Sequence, residues 1–131
     1  MLSFIIDIII HSHFYSLILH FFRNFDHKRS KQWRKLEKET LKGKCCAACG
    51  GNKHLQVHHI KPFHLYPELE LDRNNLIVLC MGFNECHVRL GHGGNYKAYS
   101  LTVAEDAKIA LKEPSRLFEL CVKAKLNRKY K

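Results

Sequence analysis

Acidic side chains are scarce in this 131-residue chain: 12 Asp and Glu stand against 22 Lys and Arg, for a formal charge of +10. A field this positive selects polyanions as partners, either nucleic acid or an anionic membrane face. Proline occurs three times and glycine seven times, which excludes a collagenous or low-complexity chain. Hydrophobic residues make up 46% of the sequence, which argues against a fully disordered one. There is no internal repeat and no clear interdomain linker, and the length fits one domain.

Lys and Arg are missing altogether from residues 1–22, which hold 15 apolar residues and seven polar ones, among them Asp7, His11, His13 and His20. The run is long enough to span a bilayer as a helix. It has no basic stretch before it and no Ala-x-Ala-like cleavage site after it, so it is a poor secretory signal. Asp7 inside the run costs roughly 2.5–3.5 kcal/mol on insertion scales. Three readings stand for this leader: a weak membrane anchor, a hydrophobic helix, or an upstream stretch outside the working domain. The last two are preferred, because nothing after residue 22 reads as a membrane protein. A cytoplasmic protein is the expectation, with tethering through residues 1–22 as the alternative.

Residues 23–44 reverse the balance, with nine Lys and Arg against three acids. Ser30 can cap a helix start and Gly43 can end it, and Trp33, Leu36 and Leu41 give a thin apolar stripe. A charge run is by default a solvated face; the charge of the whole domain favours phosphate contact here.

Five of the six cysteines and six of the ten histidines fall in residues 45–92. Cys46 and Cys49 stand two residues apart before Gly50 and Gly51, where a tight turn can point backbone N–H groups at sulfur. Cys80 and Cys86 supply a second, more loosely spaced pair, and four thiolates make a closed tetrahedral zinc site. Cys45 is an alternative to Cys46. Disulfides need an oxidising compartment, and no convincing export signal is present. Cys121 sits in a helical pattern and reads as a core thiol.

Leu55–Ile60 reads as a short strand stopped by Pro62, and Leu76–Cys80 as a second, opened by Asn74 and Asn75. They can pair as an antiparallel hairpin across a loop at 61–73. Cys86–Leu90 reads as a short helix ending near Gly91. His58, His59, His87 and His92 thereby converge on one ββα unit, whereas His54 and His64 read as surface or supporting residues.

The run Val57-His58-His59-Ile60, then Asn75 to Cys80, then Cys86-His87, resembles the HNH endonuclease motif of the ββα-metal superfamily. The Arg89-Leu90-Gly91-His92 continuation and the Ser30/Trp33 lead-in resemble small HNH proteins of phages and prophages. The resemblance spans roughly residues 29–100. It implies an α+β fold: a small ββα-metal core with a four-cysteine zinc knuckle (Cys46, Cys49, Cys80, Cys86) and flanking helices. It implies His59 as general base, His58 and His87 as ligands of a catalytic divalent ion, and Asn75 as the brace that orients the base. His92 is the candidate third ligand, although it lies five residues after His87 where the colicin-type pattern has four. The implied cofactors are structural Zn2+ and a catalytic Mg2+, Mn2+, Ni2+ or Zn2+, and the implied partner is DNA. The implied products carry a 5′-phosphate and a 3′-hydroxyl.

The chemistry is coherent from below. A neutral imidazole can accept a proton from water at pH 7. Neighbouring strand residues point to opposite sides, which suits a division of labour between His58 and His59. Lys61, Arg73 and Arg89 flank the motif as candidate phosphate contacts.

The expected organisation is a leader (1–22), a basic helical segment (23–44), an HNH nuclease domain (45–100) and C-terminal helices (101–131). In the tail, Thr102-x-x-Glu105 reads as a capping box opening a helix to about Leu111. Pro114 breaks that helix and Ser115 can cap the next; the Lys123–Lys131 end is basic and reads as packing helix plus a frayed terminus, with DNA contact as the alternative. Two alternatives to the nuclease stand: a non-catalytic zinc-knuckle DNA-binding protein, and a membrane-tethered protein addressed by residues 1–22.

Overall fold

The computed structural model describes residues 28–130. The leader, residues 23–27 and Lys131 lie outside the described residues, and so do the expectations placed on them. Among the described residues, no helix is long and apolar enough to cross a membrane.

Helix α1 spans Trp33–Leu41 and buries Trp33 and Leu36, one turn apart on a helix that is otherwise charged. These two pack on Val57, with Leu41, Leu71 and Leu76 at the edge of the cluster. Ser30 is not the helix cap expected of it. Its hydroxyl accepts from Gln32 N at 3.2 Å and its carbonyl from Trp33 N at 3.0 Å, so it forms the turn leading in. It is held there because its own N–H donates to the buried Glu70 carboxylate at 3.1 Å. Gly43, at φ +66, takes the left-handed position just past the helix end, where a side chain would be strained.

Strands β1 (Leu55–His59) and β2 (Leu76–Cys80) pair antiparallel, with Val57 opposite Val78, His58 opposite Ile77 and His59 opposite Leu76. The connecting loop contains two short 3-10 turns, Pro67–Leu69 and Arg73–Asn75. Asp72 caps the second by accepting from Asn74 N at 2.9 Å. Next comes the short helical segment, His87–Gly91, wound with π rather than α spacing. The ordinary helix expected at Cys86–Leu90 is therefore corrected to a wide turn, the kind that recurs at functional sites.

Helices α2 (Val103–Lys112) and α3 (Leu117–Asn127) pack beneath this unit. Leu79, Leu90, Val103, Ala107, Ala110 and Leu120 form one buried core that includes Cys46, Cys80 and Cys86. Thr102 precedes α2, but no side-chain cap forms there. Its hydroxyl donates instead to the fully buried Asp106 at 2.7 Å, which also accepts from Lys123 Nζ at 2.7 Å. The expected capping box with Glu105 is thus replaced by an interior link between α2 and α3. Ser115 lies inside a 3-10 turn, Pro114–Arg116, and does not cap α3.

The basic end is not frayed through Tyr130. Lys129–Tyr130 forms strand β4, paired antiparallel with β3 at Ala98–Tyr99. Gly93, at φ +54, lies so close to α3 that a Cβ there would meet Ala124 O at 2.7 Å. Arg128 donates to Gly93 O at 2.7 Å. The C-terminal helices and strand therefore hold the loop that follows the π turn. The result is an α+β fold of the small ββα-metal type with a cysteine cluster.

Candidate functional site

Two groups of side chains come together with metal-ligand geometry, and one sequence feature explains each. The first group is Cys46, Cys49, Cys80 and Cys86, whose sulfurs all lie within 4.8 Å of one another. The knuckle turn is closed by Gly50 N donating to Cys46 O at 2.9 Å and Cys46 N donating to Gly51 O at 2.7 Å. Gly50 supplies the left-handed φ of +73 that the turn needs. Cys49 Sγ and Cys80 Sγ are 3.7 Å apart, close to the edge of about 3.8 Å for thiolates at tetrahedral angles around one zinc. Hydrogen bonding from Cys86 pulls the Cys46 thiol down, helped by backbone N–H groups of Cys49, Ala48 and Cys80. The same contact, with burial and the charge on Cys46, pushes Cys86 up. Four sulfurs this close repel as thiolates, and a divalent cation at their centre removes that repulsion, so the donor set fits such an ion. Cys45 is exposed beside this cluster, and Cys121 is buried in the helical core.

The second group is His58, His87 and His92, all buried, whose ring nitrogens lie within 4.8 Å of one another. Their ring centroids are 4.9–5.0 Å apart. Imidazoles on one ion at about 2.1 Å place their centroids about 4.5–5.2 Å apart between octahedral and tetrahedral angles. The π turn explains the five-residue spacing: a winding with i to i+5 bonding brings His92 back over His87. His92 Nδ1 donates to Ala98 O at 2.7 Å, and His87 Nδ1 donates to Met81 Sδ at 3.2 Å. Each contact leaves Nε2 as the ring's acceptor, as a metal ligand requires. Gly91 makes the third approach possible. A Cβ there would meet the His58 ring at 2.9–3.1 Å.

His59 faces the other side of β1. Its ring stacks on Trp33 with centroids 4.6 Å apart, and its Nε2 lies 3.0 Å from Glu70 O. A carbonyl can only accept, so Nε2 carries the hydrogen and Nδ1 is the acceptor. Burial lowers the His59 pKa below the ordinary 6.5; Arg29 pushes the same way, against the hydrogen bond to Glu70. Asn75 fixes the loop that carries this carbonyl. It accepts from Lys61 N at 2.8 Å and donates to Lys61 O at 3.0 Å and to Leu69 O at 3.4 Å.

His58, His59, His87 and His92 open onto one cleft of about 340 Å³, also lined by Arg29, Phe63, His64, Tyr96 and Tyr99. Arg29 is the arginine that lines this cleft, and the sequence reading passed over it inside a charge run. It lies over both the Trp33 and Phe63 rings, at 4.6 and 4.5 Å. Its guanidinium is 3.6 Å from the Glu70 carboxylate. No helical spacing marked this placement, because Arg29 precedes α1 in irregular backbone. Lys61, Arg73 and Arg89 do not line the cleft. Arg73 is paired with Glu39 at 2.6 Å beside α1. Lys61 lies over the Tyr66 ring at 5.5 Å, and the Arg89 charge acts on Cys121 in α3. His54 is exposed.

A hairpin bearing paired histidines, closed by a short helix that returns two more, defines the ββα-metal class of site. Residues 46–93 match the family described as HNH endonuclease. No curated protein and no solved structure matches the chain.

Proposed function

We propose that the chain is a metal-dependent DNA endonuclease in which His59 is the general base and His58, His87 and His92 hold the catalytic divalent ion. The observation that carries this reading is the opposed placement of two sequence neighbours. His58 joins two other imidazoles, whereas His59 is held off them by Trp33 and by the Glu70 carbonyl at 3.0 Å. A ligand needs the first arrangement and a base needs the second.

A bound divalent ion would supply Lewis-acid stabilisation of charge on the phosphoryl oxygens. The chain's own residues do the rest. His59 is kept neutral by burial, and its Nδ1 takes the proton from the attacking water. The Glu70 carbonyl fixes the tautomer and accepts a stronger bond from the imidazolium that forms. The water oxygen bonds phosphorus as the 3′-oxygen leaves, giving a 5′-phosphate and a 3′-hydroxyl. Arg29, preorganised between two rings, stands at the cleft wall to meet a phosphate oxygen. Lys61, Arg73 and Arg89 contribute to the positive field rather than to the cleft. The four cysteines hold a structural zinc that fastens the knuckle before β1 to the end of β2 and the start of the π turn. Because the charge engages backbone phosphate and no helix among the described residues is set for the major groove, sequence preference is weak.

His59→Ala tests the reading. Nicking of supercoiled plasmid is expected to vanish while the far-UV spectrum, zinc content and DNA affinity hold. Nicking that survives the substitution would overturn the mechanism. A non-catalytic zinc-knuckle binder would show no nicking in either protein.

A further inference from the structure

Two exposed aromatic rings, one lining the cleft and one near it in the chain, are not used by the hydrolytic chemistry. Phe83 is 101% exposed and Tyr96 53%. Phe83 stands on a four-residue turn closed by Glu85 N donating to Gly82 O at 2.9 Å, and the turn's entry is fixed by Met81 N donating to His54 O at 2.8 Å. The cysteines of the structural cluster, Cys80 and Cys86, bound the turn on both sides. Two non-glycine residues around it, His54 at φ +51 and Glu85 at φ +45, adopt left-handed backbone. Such conformations persist only where the surroundings over-determine them, and they gather at ligand sites. The backbone thus fixes the point from which a wholly bare phenyl ring projects.

This turn is linked to the cleft through Met81. Met81 Sδ lies 3.2 Å from His87 Nδ1 and 3.6 Å from the Tyr96 hydroxyl. The Tyr96 ring is 5.0 Å from that of His92. Phe83 follows Met81 by two residues, at most about 7 Å of chain. Met81 therefore joins Tyr96 to the ion-binding rings, and Phe83 stands two residues further along the chain. Beside Phe83 is a hollow of about 270 Å³ on the side of the cysteine cluster, lined by Cys49 and Cys80 together with Lys53, Asn52 and Asn84, which brings a cation and amide groups to the same place.

We propose that Tyr96 and Phe83 form a stacking platform for unpaired bases beside the reacting phosphate, so that the preferred substrate is single-stranded DNA or a locally unpaired strand. The inference rests on the nuclease reading and names its substrate class. An aromatic face recruits a base only when that base is not already stacked within a duplex. Stacking is tolerant of sequence, and with a positive field along the backbone it is how single strands are held. A continuous duplex keeps its bases turned inward and leaves Phe83 in water.

The test uses the full chain with Mn2+ and three DNAs of one sequence: a single strand, its blunt duplex, and a duplex with a six-nucleotide bubble. Binding is measured in the His59→Ala background with 2-aminopurine placed next to the expected cut. Single strand and bubble are expected to be cut at least tenfold faster than duplex. Phe83→Ala is expected to weaken single-strand binding by about tenfold and to abolish the 2-aminopurine quench. Phe83→Trp and Tyr96→Phe, which keep a ring, are expected to preserve both. Duplex cut as fast as single strand, with Phe83→Ala unchanged, overturns the platform and leaves the nuclease standing. A Phe83-dependent quench in a protein that cuts none of the three DNAs keeps the platform and overturns the nuclease.

Discussion

Replacing Gly91 by Ala separates the two metal groups by a single methyl. Gly91 is not among the glycines with left-handed backbone, so alanine is conformationally acceptable there and only space is at issue. The new Cβ would meet Cε1, Nδ1 and Nε2 of His58 at 2.9, 3.0 and 3.1 Å, where ordinary contact begins at 3.4 Å. The ring must therefore retreat by at least about 0.5 Å, whereas a ligand position tolerates only about 0.2 Å. Overpacking of this kind costs about 1–3 kcal/mol, so the fold survives. Affinity for the catalytic ion is expected to fall by about 10–100-fold, the range seen when support for a ligand is lost. Plasmid cleavage should fall in parallel at limiting ion and recover with excess. Zinc in the cysteine cluster should stay at one per chain. Calorimetric titration with Mn2+, beside elemental analysis for zinc, measures both. Gly82→Ala is the control, since its backbone is not left-handed and the added Cβ would meet nothing closer than 3.7 Å. Equal Mn2+ affinity in Gly91→Ala and the wild type would refute the assignment of His58 as a ligand packed against this glycine.

Cys86→Ser is expected to lose zinc and the cooperative thermal transition together, whereas His58→Ala loses cleavage and keeps both; circular dichroism with zinc analysis checks this. Asn75→Ala removes the bonds to Lys61 and Leu69 and is expected to cost about 1–3 kcal/mol in urea unfolding. It should also lower kcat, because Glu70, whose carbonyl orients His59, follows Leu69; an unchanged kcat would count against the brace. Asp106→Asn weakens a buried carboxylate's bonds to Thr102 and Lys123. It is expected to destabilise the fold by a similar amount while leaving kcat of the folded protein unchanged.

The hairpin and its chemistry were legible because they depend on local pattern. A period-two strand turns His58 and His59 apart whatever surrounds it, and a two-residue step between Cys46 and Cys49 makes a knuckle from its own glycines. Asn75, opening β2, sits where the register places it against the chain after His59. Helix ends were less legible. Ser30 and Thr102 have the right chemistry for caps, but Glu70, forty residues away, holds the Ser30 N–H and shapes the lead-in, and the Thr102 hydroxyl donates to Asp106, which Lys123 of α3 ties into the interior.

The sequence alone determined which atoms are available: four thiols, neighbouring imidazoles, a basic surface, and the order in which the strands deliver them. Only the tertiary structure decided how they are set. The π winding that returns His92 after five residues depends on Gly91 yielding space to His58 and on α3 and β4 pinning the loop beyond. The tautomer of His59 depends on a carbonyl eleven residues away, and the position of Arg29 on two rings from different elements. Such choices are made by packing between distant segments, where several local conformations differ little in energy and the neighbour selects among them.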